Sequence, residues 1–318
     1  MKILITGLVP RTGLKDLEKH FEIIYPPEGT EFTREESLKL IVDCDGVVLM
    51  GVRADKEFID AGKKLKIIAV NGVGFDNVDI AYAKEHGIAV ANAPAAVMEP
   101  TAEMTMSLML AITRRIGNYD RSLRNGVWQN INQPSQMGFS LFGATLGVFG
   151  IGRIGRSVAK RAKAFGMNII YYEPRYGLSA EQESELEATR VSFEDLLSKS
   201  DVITIHAPLT SETRHLFGEK ELKQMKSTSY LINAARGPIV DEQALIAALK
   251  SGEIAGAGLD VFENEPTIPD EMKSLENIVM TPHAGTACLS SRTILAKEAA
   301  GNIIAYLIDK TEKNIINK

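Results

Sequence analysis

The stretch Thr145–Arg156, TLGVFGIGRIGR, constrains this chain more than any other: a short apolar run breaks into Gly150-x-Gly152-x-x-Gly155. A helical pattern, Ser157–Phe165, follows at once and stops at Gly166. A second apolar run, Met167–Tyr172, then ends on a carboxylate, Glu173. In a strand–turn–helix–strand unit of this kind the first glycine permits the tight turn. The second lets backbone approach a pyrophosphate, and the third lets the helix pack close to the strand. The first-turn N–H groups of the helix lack internal partners and favour an anion. Glu173 is placed to accept hydrogen bonds from a ribose diol and to repel a 2′-phosphate, which points to NAD. Any tight βα turn can use three glycines, so the acid at the end of the next strand carries the specificity.

Strand and helix patterns alternate on both sides of this motif. Before it, apolar runs at Lys2–Thr6, Glu22–Tyr25, Val47–Met50, Ile67–Val70 and Ile88–Ala91 are separated by helical patterns at 14–21, 35–42, 56–64 and 80–86. After it, strands are expected at 201–206, 230–233, 256–261 and 278–281, and helices at 219–225, 241–250 and 289–308. Such alternation predicts an α/β protein with two doubly wound parallel sheets. A chain of 318 residues is long enough for two such domains. Between the two series, Thr101 reads as the N-cap of a helix whose residues Met104, Met106, Leu108, Met109, Leu110 and Ile112 leave almost no polar face. A helix apolar all round is buried, so this one is expected between domains or between subunits, which favours a homodimer. Arg121–Phe142 reads as an irregular crossover or exposed arm.

The net charge of −5 is spread without a basic tract, which speaks against nucleic acid or a membrane surface as partner. Two cysteines, Cys44 and Cys288, offer neither a disulfide framework nor metal-ligand spacing, as expected of a cytoplasmic protein without a metal. The apolar N-terminus, Met1–Gly7, is too short for a signal peptide and reads as a buried strand.

Ligands of open parallel sheets bind outside the carboxyl ends of strands, so polar residues just after strands are the candidates for chemistry. Arg236 follows Tyr230–Asn233, and its guanidinium can grip a carboxylate with two prongs and polarise a neighbouring carbonyl. The stretch Gly258–Pro266 brings three carboxylates, Asp260, Glu263 and Glu265, to the end of another strand, and His283 follows Ile278–Thr281. Of the other histidines, His20 and His86 lie near helix ends, His215 in a polar loop, and His206 after an apolar strand. His283 is the strongest candidate for proton transfer, because imidazole titrates near neutrality and a carboxylate is expected beside it.

From end to end the chain resembles the D-isomer-specific 2-hydroxyacid dehydrogenases. The resemblance rests on Asn71-Gly72-Val73-Gly74-Phe75-Asp76-Asn77-Val78-Asp79, the glycine turn, His206-Ala207-Pro208-Leu209-Thr210, Asn233–Gly237, Asp260–Pro266 and Pro282-His283. It implies a catalytic trio of Arg236, Glu265 and His283. It implies a flavodoxin-like substrate domain from residues 1–97 plus 285–318, with a Rossmann dinucleotide domain, 98–284, inserted. Cofactor contacts are implied for Gly150, Gly152, Arg153, Ile154, Gly155, Glu173, His206, Pro208, Thr213, Ala234, Ala235, Arg236, Asp260, His283 and Gly285, with Asp260 meeting the nicotinamide amide. Asp260 also reads as a strand-end cap. Asn71, Gly72, Val73 and Gly74 are implied to bind the substrate carboxylate with Arg236 and His283. The expected reaction is hydride transfer between NAD(H) and a small 2-oxo or 2-hydroxy acid, D-specific; Arg175 keeps NADP use open. The crossover looks closer to the glyoxylate, hydroxypyruvate or 2-ketogluconate reductases than to D-lactate dehydrogenases, and Glu265 argues against formate dehydrogenase activity. The alternative on the same fold is a dinucleotide-sensing corepressor-like protein.

Overall fold

Runs of β-branched and aliphatic residues buried on both faces form parallel strands, and capped amphipathic helices return the chain between them. The computed structural model describes residues 1–318. In chain order the first strands and helices are β1 (Lys2–Ile5), α1 (Lys15–Glu18), β2 (Glu22–Ile24), α2 (Arg34–Leu40), β3 (Gly46–Leu49), α3 (Lys56–Ala61), β4 (Ile67–Val70), α4 (Ile80–Glu85) and β5 (Ala89–Ala91). The helix starts are chemically marked. Thr33 caps α2 in a capping box with Glu36, and Asp55 and Asp79 accept first-turn N–H groups of α3 and α4.

Then come α5 (Met98–Thr113), α6 (Ile116–Arg124), β6 (Thr145–Phe149), α7 (Arg153–Ala164), β7 (Asn168–Tyr172), α8 (Ala180–Leu186), β8 (Ala188–Arg190), α9 (Phe193–Lys199), β9 (Val202–Ile205), α10 (Glu219–Leu222), β10 (Tyr230–Asn233), α11 (Glu242–Ser251), β11 (Gly256–Leu259), α12 (Asp270–Lys273), β12 (Ile278–Met280) and α13 (Leu289–Leu307). The chain divides into two compact units, Met1–Pro100 with Thr286–Lys318, and Thr101–Gly285.

The first unit holds a five-stranded sheet in the order β2-β1-β3-β4-β5, all parallel, the flavodoxin-like arrangement. One face packs Ile3, Ile5, Val48 and Ile67 against Ala296, Ala299, Ala300 and Ile303 of α13, and the other packs Leu4, Val47, Leu49 and Ile68 against Phe58 and Ile59 of α3. Each fully buried Ile, Val, Leu or Phe among them contributes about 1.5–3 kcal/mol.

The second unit holds seven parallel strands in the order β12-β11-β10-β9-β6-β7-β8. Strand order reverses between β6 and β9, so a crevice opens at their carboxyl ends, as in a Rossmann domain.

Three sequence expectations change. The apolar helix begins at Met98 rather than after Thr101; Pro100 sits in its first turn, where its missing N–H forfeits no helical bond. Its apolar faces are covered within the second unit, where Met106, Leu108, Met109 and Ile112 pack with Leu146, Val148 and Ile232. Its composition therefore no longer argues for a subunit contact. Arg121–Phe142 is not irregular throughout, since α6 runs to Arg124 and a single 3-10 turn covers Pro134–Gln136.

Candidate active site

The glycine turn leaves β6 and enters α7 at the strand-order reversal. Gly150 has φ +88, and a Cβ there would lie 2.8 Å from the His206 carbonyl carbon, so neither the conformation nor the space admits a side chain. A Cβ at Gly155 would meet the Gly150 carbonyl oxygen at 2.3 Å, whereas in front of Gly152 there is open space. Gly152 is the N-cap of α7 and makes no side-chain cap bond, so the first-turn N–H groups, beginning at Arg153 and Ile154, face no side-chain acceptor. An open cradle beneath uncapped N–H groups fits a pyrophosphate.

Glu173 follows β7, and its Oε1 accepts the Arg175 N–H at 3.3 Å. The Arg175 guanidinium is turned to Glu212 at 3.3 Å. On the β9 side, His206 donates its N–H to the Phe149 carbonyl at 2.7 Å, and its Nε2 lies 2.9 Å from Thr204 Oγ1. Burial pushes this imidazole down to about 3, so it is neutral at ordinary pH. Thr213 Oγ1 donates to the Pro208 carbonyl at 2.8 Å and accepts the Thr210 N–H, closing the loop after His206.

The candidate catalytic groups stand after β10, β11 and β12. Buried Asn233 shapes the loop after β10: its Nδ2 donates to the Arg236 carbonyl at 2.9 Å and its Oδ1 accepts the Ala235 N–H at 3.0 Å. Arg236 donates to the Ala235 carbonyl at 2.7 Å. A Cβ at Gly237 would fall 2.0 Å from the Phe262 carbonyl group, so the Arg236 loop lies directly on the turn that carries Glu265.

Asp260, 1 % exposed, binds the loop after β12 with both carboxylate oxygens. Oδ1 accepts Thr281 Oγ1 at 2.5 Å and the Ala284 N–H at 2.7 Å, and Oδ2 accepts the Gly285 N–H at 2.8 Å. Its carbonyl also accepts the His283 N–H at 2.8 Å. These bonds hold His283 at φ 51, a left-handed conformation that a non-glycine residue keeps only when its surroundings enforce it. The imidazole Nδ1 then lies 2.8 Å from Glu265 Oε2, while Oε1 accepts the Phe262 N–H at 2.9 Å. Burial pushes the Glu265 carboxyl up, but the His283 hydrogen bond, the Phe262 N–H and the charges of His283 and Arg236 outweigh it and hold it below its ordinary value. The second unit thus gathers Arg236, Glu265 and His283 in one place.

A further pair, His215 with Glu263, lies beside this turn, and buried Glu242 accepts the Glu263 N–H at 2.6 Å. Sequence reading left both the role of Asn233 and the buried Glu242 unmarked. Strand-end position signalled the first, and nothing local signalled the second. Asn71–Gly74 follow β4 in the first unit. The Gly72 carbonyl accepts the Ala93 N–H and the Val73 carbonyl accepts Asn92 Nδ2.

A parallel sheet with a pyrophosphate cradle at its order reversal, and an Arg and a His–Glu pair at neighbouring strand ends, describes a dinucleotide-dependent oxidoreductase. Residues 106–285 match the family described as D-isomer specific 2-hydroxyacid dehydrogenase, NAD binding domain. The whole chain is 44% identical to the glyoxylate reductase of Thermococcus litoralis, covering 97% of that protein. Among solved structures it superposes with TM-score 0.87 on a glyoxylate reductase from Paecilomyes thermophila, at 34% identity over 99% of this chain and 98% of that one. It superposes with TM-score 0.86 on an NADPH-dependent glyoxylate/hydroxypyruvate reductase from Sinorhizobium meliloti, solved with NADP and malonate, at 31% identity over 99% and 96% of the two chains. The chain belongs to the D-isomer-specific 2-hydroxyacid dehydrogenase family. It is an NAD(P)-dependent oxidoreductase of 2-oxo and 2-hydroxy acids, with its dinucleotide domain in the second unit. No helix is long and apolar enough to cross a membrane.

Proposed function

We propose that this enzyme reduces small 2-oxo acids of the glyoxylate and hydroxypyruvate type to D-2-hydroxy acids, with NADH as the preferred reductant and His283 as the proton donor. The observation that carries this reading is the 2.8 Å contact between His283 Nδ1 and Glu265, which leaves Nε2 for a substrate oxygen. When bound, the nicotinamide supplies the hydride that the carbonyl carbon receives. The His283 imidazolium gives its Nε2 proton to the carbonyl oxygen and becomes neutral. Glu265 lies against Nδ1 and fixes the orientation of the ring. Arg236 holds the substrate carboxylate and offsets the negative charge that grows on the oxygen in the transition state. Asn71, Gly72, Val73 and Gly74 bring further polar groups to that carboxylate, which makes the first unit the substrate-binding domain.

Glu173 favours NADH through the ribose diol, and the engagement of Arg175 with Glu212 supports that preference. The exposed apolar residues Leu123, Val127, Trp128, Ile131 and Met137 on the segment after α5 support pairing with a second copy of the chain. Free Cys44 and Cys288 support a reducing, cytoplasmic setting.

The deciding experiment is NADH oxidation with glyoxylate, hydroxypyruvate, pyruvate and bulkier 2-oxo acids. Turnover highest with the first two supports the reading. Tight NADH binding without turnover of any of them would replace it with a dinucleotide-sensing protein.

A further inference from the structure

In the first sheet, strand order reverses between β1 and β3, so this unit has its own crevice at the carboxyl ends of those strands. The residues after them are locked together. Thr6 Oγ1 donates to the Met50 carbonyl at 2.8 Å and accepts the Met50 N–H at 2.9 Å. Two side chains meet the Met50 thioether: Asn71 Nδ2 at 3.4 Å, from the residue after β4, and Arg292 Nη1 at 3.8 Å, from the first turn of α13.

Arg292 is the unexplained group here. It is half-buried, and desolvation pushes its guanidinium below the ordinary arginine value. Nε donates to the Thr286 carbonyl at 3.1 Å, which fixes the plane of the fork, yet no carboxylate pairs with it, and a sulfur atom is the weakest of acceptors. Beside it lies Asn71, 8 % exposed. A cation drawn partly out of water without a counter-charge is costly to keep unless an anion completes it.

We propose that Arg292 is a further substrate-binding residue: its guanidinium adds a second cation, besides that of Arg236, for the carboxylate of the 2-oxo acid, at the carboxyl edge of the first sheet beside the Asn71–Gly74 loop. This deepens the function proposed above and rests on it. Arginine suits the task because a planar fork binds a carboxylate in a two-pronged grip that an ammonium cannot reproduce.

The test is calorimetric titration of oxamate, an unreactive anionic analogue of a 2-oxo acid, into the NADH-saturated protein and its Arg292→Gln and Arg292→Lys variants. The expected result is weakening by roughly tenfold to a hundredfold in Arg292→Gln, an intermediate loss in Arg292→Lys, and unchanged NADH affinity. Kinetics add a readout that a merely structural role would not move: preference for glyoxylate over its neutral amide falls in step with oxamate affinity. Oxamate affinity within about threefold of wild type in Arg292→Gln would overturn the inference and leave the proposed function standing. So would a joint loss of NADH binding and thermal stability in both variants, which would make Arg292 a packing residue. Wild-type protein that neither binds oxamate nor reduces any 2-oxo acid would sink the proposed function and this inference with it.

Discussion

Replacing Asp260 by asparagine separates two roles for a residue whose carboxylate the loop after β12 already occupies. Both oxygens are used: Oδ1 by Thr281 Oγ1 and the Ala284 N–H, and Oδ2 by the Gly285 N–H. Asparagine offers one oxygen. If that oxygen keeps Thr281 and Ala284, its NH2 group faces the Gly285 N–H, and two donors oppose each other at 2.8 Å. An unsatisfied buried donor costs about 1–3 kcal/mol, and the two remaining bonds lose their charge assistance, roughly half their strength. The loop therefore loses about 3–5 kcal/mol of restraint, enough to release His283 from its left-handed conformation. A displaced proton donor forfeits most of the roughly 10²–10⁴-fold that general acid catalysis supplies. Asp260→Asn should lower kcat for glyoxylate reduction by about 10²-fold or more, with the dissociation constant for NADH, measured by fluorescence, within about threefold of wild type. Retention of kcat to within about threefold would refute the argument that this carboxylate positions the histidine. Intact kcat at saturation with much weaker NADH binding would assign Asp260 to the nicotinamide amide instead.

Other outcomes follow from the same geometry. Gly237→Ala forces a Cβ into the Phe262 carbonyl group at 2.0 Å, so the Arg236 loop must lift from the Glu265 turn. A rise in KM for the 2-oxo acid and a stability loss of about 1–3 kcal/mol in chemical denaturation are expected, and a neutral substitution would contradict the close approach. Because the folded Glu265 carboxyl sits below its ordinary value, the stability it contributes is present above that ordinary value and is lost as pH falls through the depressed one. Reduction should accordingly persist down to about pH 5 without loss of this pair. Glu265→Gln should lower kcat for reduction by about tenfold or more with NADH affinity unchanged, and an unaltered kcat would remove Glu265 as the partner of the proton donor. Glu173→Ala should raise kcat/KM for NADPH relative to NADH by about tenfold, the effect of one nearby charge, and an unchanged ratio would count against its ribose role.

Much of the fold was legible because its signals are local. The glycine turn, the helical patterns at 56–64 and 80–86, and the polar residues at the ends of β10, β11 and β12 can be read within a few positions of each other. The stretch 174–200 gave no such reading, although it forms α8, β8 and α9. β8 is a three-residue edge strand, Ala-Thr-Arg, too short to show a period, but the Ser179–Gln182 capping box was a visible start for α8. Residues Met104–Ile112 announced burial but not what buries them, since apolarity names no partner; the second sheet does so. The least legible features are long-range. No pattern around Glu242, or around Arg292 and Met50, shows that they meet distant loops, because such contacts depend on strand order and on which helix covers which face.

The most direct test of the account is pre-steady-state NADH oxidation by His283→Ala with glyoxylate, run alongside NADH binding. The account predicts NADH affinity close to wild type and a single-turnover rate lowered by about 10²–10⁴-fold. Reduction by this variant at a rate near wild type would contradict it, whatever the similarity to other members of the family.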